Sequence, residues 1–219
     1  MKKMVLSGLL SSVMFFALAT ASDISAQNSN AILSAITSKI ESGDMAEIRF
    51  DFSILDEKGE EAFFDTGVFE AQDSLYRVRT SVYAIYCNAY KKWIHDIPAG
   101  EITILPYERS LTDVTENPLM IFTSIDGNFS YSSKPKEYDN GKGWIIALKP
   151  IDKKFPYDSI EIAIDKQSGM PAAVRCITKD KRVYLVTIFE FNLKPAQSVD
   201  YFMLNVYDHP HAYVTDMTM

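Results

Sequence analysis

Histidine and cysteine are scarce in this 219-residue chain: three of the first, His95, His209 and His211, and two of the second, Cys87 and Cys176. There is no G-x-S-x-G, no H-E-x-x-H and no phosphate-binding loop, so the common hydrolase, zinc-protease and nucleotide signatures are missing. His95 stands beside Asp96 and pairing across a turn is conceivable, although a structural or exposed histidine is the ordinary outcome. The His209-Pro210-His211 run offers two ligands without a third, which does not make a specific metal site. Carboxylates are plentiful, but Glu47, Asp51, Glu60, Glu61, Asp65 and Glu70 fall on expected wet faces and turns, where they solubilise. Positive charge is also short. A formal charge of −7 and a pI near 5.0 lack the electrostatic footprint of a nucleic-acid binder. No repeat, low-complexity tract or linker divides the chain, and a 47% hydrophobic, 12% aromatic composition supports one sizeable core. The expectation is a non-enzymatic domain with no catalytic residues, no metal and no cofactor.

What is present begins with a targeting signal: Lys2-Lys3, an apolar run from Met4 to about Ala19, then small residues. Cleavage after Ala21 or after Ala26 fits; the second is preferred because Gln27 starts the polar stretch leading into the fold. An uncleaved anchor is the weaker alternative, since the strongly apolar part is shorter than the ~20 residues of a membrane span. Residues 1–26 are thus read as a signal peptide and 27–219 as the exported domain. Removing two lysines and one aspartate takes the charge from −7 to −8. No cysteine stands just after the apolar run to be lipidated, the first being Cys87, so a soluble, untethered protein is expected. In an oxidising compartment Cys87 and Cys176 make an even pair, but both lie inside expected strands far apart in order. Two separate buried thiols are expected, with a disulfide as the alternative.

Residues 28–40 carry Ile32, Leu33, Ile36 and Ile40 at helical spacing behind a capping Asn or Ser, and Ser42-Gly43 ends the helix. From Ala46 the period becomes two. Ile48, Phe50, Phe52 and Ile54 point one way; Glu47, Arg49, Asp51 and Ser53 point the other. A return strand, 62–71, follows the turn at Asp56–Gly59, with Gly67 marking a bulge or bend. Four short strands succeed it, 76–80, 82–87, 92–96 and 101–105, whose tight loops allow only antiparallel neighbours. Residues 82–86 are apolar on both sides, so a loop or a partner is expected over the second face. Asn117-Pro118 opens a short apolar helix, 118–125, readable as a mobile lid or as a core plug. A hairpin, 128–150, turns at Asp139-Asn140-Gly141. Strands at 160–164, 172–178 and 182–192 complete ten or eleven, the last apolar on both faces and therefore central. A sheet that large must curl or split. The fold expected is mainly β with a few α-helices: one highly curved antiparallel sheet, an unclosed half-barrel, with helices on its concave face.

The polar-tipped hairpin carrying Trp93 and followed by a short apolar strand, the segment from Gly67 to Tyr76, and the Asn117-Pro118 helix start together resemble the LolA-like family of periplasmic lipoprotein carriers. The likeness runs from about Ala46 to about Asn192. It implies a periplasmic carrier that shields the acyl chains of lipoproteins, or related lipids, between the inner and outer membranes. An inner-membrane lipoprotein-releasing transporter and an outer-membrane acceptor would be its partners, with nucleic acid excluded and a monomer expected. Carried over by position, the cavity lining is Phe50, Phe52, Tyr76, Val78, Trp93, Ile102, Ile104 and Trp144, and the lid residues are Ile32, Ile36, Leu119 and Phe122. Where the family often has an Arg that latches the lid, this sequence has Gln72. A lipid-sensing regulatory module on the same scaffold is one alternative, and an envelope hydrolase, disfavoured for want of a nucleophile and base, is the other.

Overall fold

Period-two alternation from Met45 onward builds a strand, β1 (Met45–Leu55), that runs down the middle of the molecule. The computed structural model describes residues 28–108, 125 and 127–218. The expected signal peptide lies outside them, as does the 118–125 helix apart from Ile125. On one side of β1 the chain meanders in sequence order through β2 (Glu61–Gln72), β3 (Leu75–Thr80), β4 (Tyr83–Asn88), β5 (Lys91–Asp96) and β6 (Glu101–Pro106). On the other side the order reverses: β12 (Val183–Lys194) pairs with β1, followed outward by β11 (Pro171–Thr178), β10 (Tyr157–Asp165) and β9 (Gly143–Pro150). The expected first arm of the 128–150 hairpin is broken into β7 (Phe129–Tyr131) and β8 (Lys136–Tyr138), both antiparallel to β9. The result is one large, curled, unclosed, mainly antiparallel sheet.

Two features depart from the reading of the sequence. A thirteenth strand, β13 (Tyr213–Asp216), lies parallel to β6 at the sheet edge; four residues near the chain end carry too little periodic signal to be seen. At Gly67 there is no bulge, since the β1–β2 register runs through it unbroken. The irregularities fall instead between Arg49 and Phe50 against β12, and between Ile54 and Leu55 against β2.

The helix α1 (Ser29–Ile40) starts where Asn28 Oδ1 accepts a hydrogen bond from the Ala31 amide at 2.8 Å. Ile32, Leu33 and Ile36 are buried in one core cluster with Ile48, Phe69, Tyr76, Trp144, Ile162 and Val174. Strands far apart in the sheet order therefore meet around the helix, which places it in the trough. It crosses one end: the Ser29 amide bonds Ser133 O (2.9 Å) and Lys39 Nζ approaches Met170 Sδ (3.3 Å) at the β10–β11 turn.

The opposite face of the β3–β6 arm is covered too. The chain after Pro195 crosses it as a strap with 3-10 turns at Val199–Phe202 and Val206–Asp208 before entering β13. Trp93, Ile102, Ile104 and Leu204 form a second, separate core there, with Tyr86 and Val206 against it. This is the cover expected over the doubly apolar strand at 82–86.

Candidate functional site

A cavity of about 240 Å³ opens on the concave face, at the end of the trough away from α1. Its wall follows from cross-strand register. Phe50, Phe52 and Ile54 come from β1; Phe63, Asp65 and Phe69 from β2; Val78 and Thr80 from β3; Val186 from β12; and Val82, Tyr83 and Ile85 close the β3–β4 side. Phe52 faces Asp65 across one ladder and Val186 across the other, and Ile54 faces Phe63. The Phe52 ring lies edge-on to Phe63 (6.0 Å between centroids) and stacks on Tyr184 (6.2 Å).

Gly67 shapes the floor. It faces Phe50 on one side and Thr80 on the other, and a Cβ there would stand 2.7 Å from Phe50 Cζ and 2.8 Å from Arg79 O. The missing side chain lets the Phe50 ring lie against the backbone of β2, leaving space above it.

Among the described residues the wall is hydrocarbon apart from Asp65, Thr80 and the Tyr83 hydroxyl. Asp65 is 8% exposed and accepts hydrogen bonds from the Thr66 amide (2.8 Å) and the Ser81 amide (3.1 Å). Burial by itself pushes its carboxyl upward, but the hydrogen bonds of Thr80, Ser81 and Thr66 outweigh it and hold the group below the usual carboxylate range. Asp65 is therefore charged at neutral pH.

The proposed lining residues divide between the two faces. Phe50, Phe52 and Val78 line the cavity. Tyr76 and Trp144 share its face but lie in the closed core, Tyr76 6.3 Å from Phe69 and Trp144 beneath Lys166 Nζ at 4.9 Å. Ile32 and Ile36 sit in the same core beneath α1. Trp93, Ile102 and Ile104 are on the other face: Tyr86 pairs with Trp93 and Trp93 with Ile104, in line with Arg77 rather than Tyr76. Their bulk is absorbed by the C-terminal strap, which the apolar pattern of each strand taken alone does not reveal. Leu119 and Phe122 lie outside the described residues.

Gln72 also faces the strap, donating from Nε2 to Gln197 O (3.5 Å) and accepting from the Gln197 amide (2.8 Å). Among the described residues it latches the C-terminal segment rather than a lid. Ile54, Phe63, Asp65, Phe69, Thr80, Val82, Tyr83, Ile85 and Val186 are wall residues beyond the expected set. Continuing the alternation of β1 and counting back from the Asp56–Gly59 turn finds Ile54 and Phe63; Val186 needs the β1–β12 register.

His95 is buried against His209, ring centroids 4.5 Å apart, and not against Asp96 as considered from sequence. Burial, then His209, hold its pKa below the ordinary histidine value against the opposing pull of Asp96. Among the described residues no group of three His, Cys, Asp or Glu side chains is placed to hold a metal, and no helix is long and apolar enough to cross a membrane.

No family model and no curated protein matches the sequence. The likeness lies in the fold. An uncharacterized conserved protein from Thermus thermophilus superposes with a TM-score of 0.53 at 13% identity, over 85% of this chain and 98% of that one. A LolA superfamily protein from Nitrosomonas europaea superposes at 0.45 and 10% identity, over 82% of this chain and 99% of that one. MucB, solved in complex with MucA from Pseudomonas aeruginosa, superposes at 0.37 and 14% identity over 80% of this chain, which spans 60% of that protein's length. At 13% identity, what this chain shares with the Thermus thermophilus protein is the fold.

Proposed function

We propose that this chain is an exported carrier that hides acyl chains in the trough while a lipoprotein or lipid crosses the periplasm. One observation carries the reading: among the described residues, the concave face keeps an apolar cavity that no side chain fills. Sealed and empty, a void of 240 Å³ would cost on the order of 6 kcal/mol. Open at one end, it can take a guest instead, and each methylene hidden from water stabilises the complex by about 0.8 kcal/mol.

The volume falls just below the roughly 300–1,000 Å³ of small-molecule pockets, so it accepts part of one chain, and a diacyl group requires the trough to widen. Phe52, Ile54 and Phe63, only partly buried, border the end where widening costs least. Cleavage of residues 1–26, a releasing transporter in the inner membrane and an acceptor in the outer membrane belong to the same reading.

Native mass spectrometry of the protein purified from its own periplasm tests it. Diacyl or triacyl species should accompany the wild type and be lost from Phe52→Glu, which sets a charge in the wall. A consistently bare wild-type polypeptide would overturn the proposal.

A further inference from the structure

Among the described residues of the cavity wall Asp65 carries the one charge, and it bears on which amphiphiles can enter. Asp65 faces Phe52 on the concave side, near the end at which the cavity opens. The Thr66 amide on Oδ1 and the Ser81 amide on Oδ2, with hydrogen bonds from the Thr80 and Ser81 side chains, hold the carboxylate in place but bring it no positive charge. Among the described residues no Lys, Arg or His forms an ion pair with it. The Thr80 hydroxyl, besides its hydrogen bond to Asp65, accepts from the Val82 and Tyr83 amides (3.3 and 3.1 Å) and is neutral. The rim agrees in sign: residues 55–61 carry Asp56, Glu57, Glu60 and Glu61 against the one cation Lys58. Across the sheet, in the β11–β12 turn, Lys181 is paired with Asp158 and Arg182 with Asp180, while Lys179 donates to Lys153 O (2.6 Å).

Resting on the carrier reading, we infer that the cavity selects amphiphiles whose polar end is an ammonium or another N–H donor and turns away free fatty acids, because the head must come to rest beside the Asp65 carboxylate. In a wall that excludes water, a second carboxylate next to Asp65 is repelled far more strongly than in bulk solvent, and an N–H donor makes a charge-assisted bond. The lowered pKa of Asp65 agrees, since it keeps the charge in place at neutral pH.

The experiment displaces a hydrophobic fluorophore from the delipidated protein with dodecylammonium, dodecanol and dodecanoate, at neutral pH and about 0.15 M salt to screen the net charge. Dodecylammonium should bind about tenfold or more tighter than dodecanoate. Asp65→Asn, which keeps an acceptor for the turn amides, should collapse that ratio. Equal or tighter binding of dodecanoate by the wild type overturns the inference, as does an unchanged ratio in an Asp65→Asn protein with native circular dichroism. If dodecanol also fails to displace the dye, the carrier reading falls and takes this one with it. Lysophosphatidylethanolamine and an S-palmitoylated dipeptide with a free α-amine extend the series. The tighter binder identifies whether a lipid headgroup or an acylated peptide supplies the donor, and failure of both counts against the inference.

Discussion

Phe50 and Gly67 set the cavity floor as a pair, and the pair behaves as a size switch. A methyl group at residue 67 meets Phe50 Cζ and Arg79 O inside van der Waals contact, so the ring has to swing into the space above. Gly67→Ala should lower stability by about 1–3 kcal/mol in urea titrations and weaken dye binding in the trough. A second residue-scale device lies on the other face. Glu70, 2% exposed, accepts from Tyr201 Oη (2.5 Å) and from Arg77 Nη2 (3.0 Å), while the Arg77 guanidinium lies 3.5 Å from the centre of the Tyr201 ring. Burial alone would raise the Glu70 pKa; the hydrogen bonds of Arg77 and Tyr201 and the charges of Arg77 and Arg79 bring it below the ordinary glutamate value. A depressed carboxylate pKa contributes stability above the unfolded-state value, lost as pH falls through the folded one. Glu70→Gln should therefore melt well below the wild type at neutral pH, with the gap closing as the solution is acidified. Alternation put Phe50 and Phe52 on the greasy face, and the family resemblance named them as lining. Asp65 was not legible, because an acid in a strand is ordinarily assigned to the wet face and only the paired register turns it inward.

Among the elements, the C-terminal strap is the one whose role the chain hides best. It brings Leu204 and Val206 onto Trp93, Ile102 and Ile104, is tied by Gln197 to Gln72 and by Tyr201 to Glu70, and ends in β13 against β6. Truncation after Pro195 should uncover this second core, giving strong binding of a hydrophobic dye and aggregation, with strands β1 and β12 the last to exchange their amide protons. Unchanged dye binding would mean that the strap is dispensable. The apolar residues of β5 and β6 announced that something buries them, but parity within a strand says only that they share a face. The covering segment arrives about a hundred residues later, so local pattern could not correct the family resemblance, which had put them in the trough.

The whole molecule is held without a covalent tie. Cys87 and Cys176 are both buried and neither is in a disulfide, and burial pushes the Cys176 thiol up to about 12. The melting temperature should be the same with and without reductant, and both thiols should react with an alkylating agent only after unfolding. A reductant-dependent shift would show a bridge. Stability comes instead from one curled sheet that wraps α1 on its concave side and carries the strap on its outer side. By itself the sequence determined the longer strands, their antiparallel meanders and the wet and greasy sides of β1, because side-chain period and turn chemistry act over a few residues. Tertiary structure alone decided which greasy faces turn inward, how much of the trough stays unfilled and where Asp65 points. Those outcomes depend on β12 closing against β1 and on the strap crossing β3–β6, contacts between segments more than a hundred residues apart that no local pattern encodes.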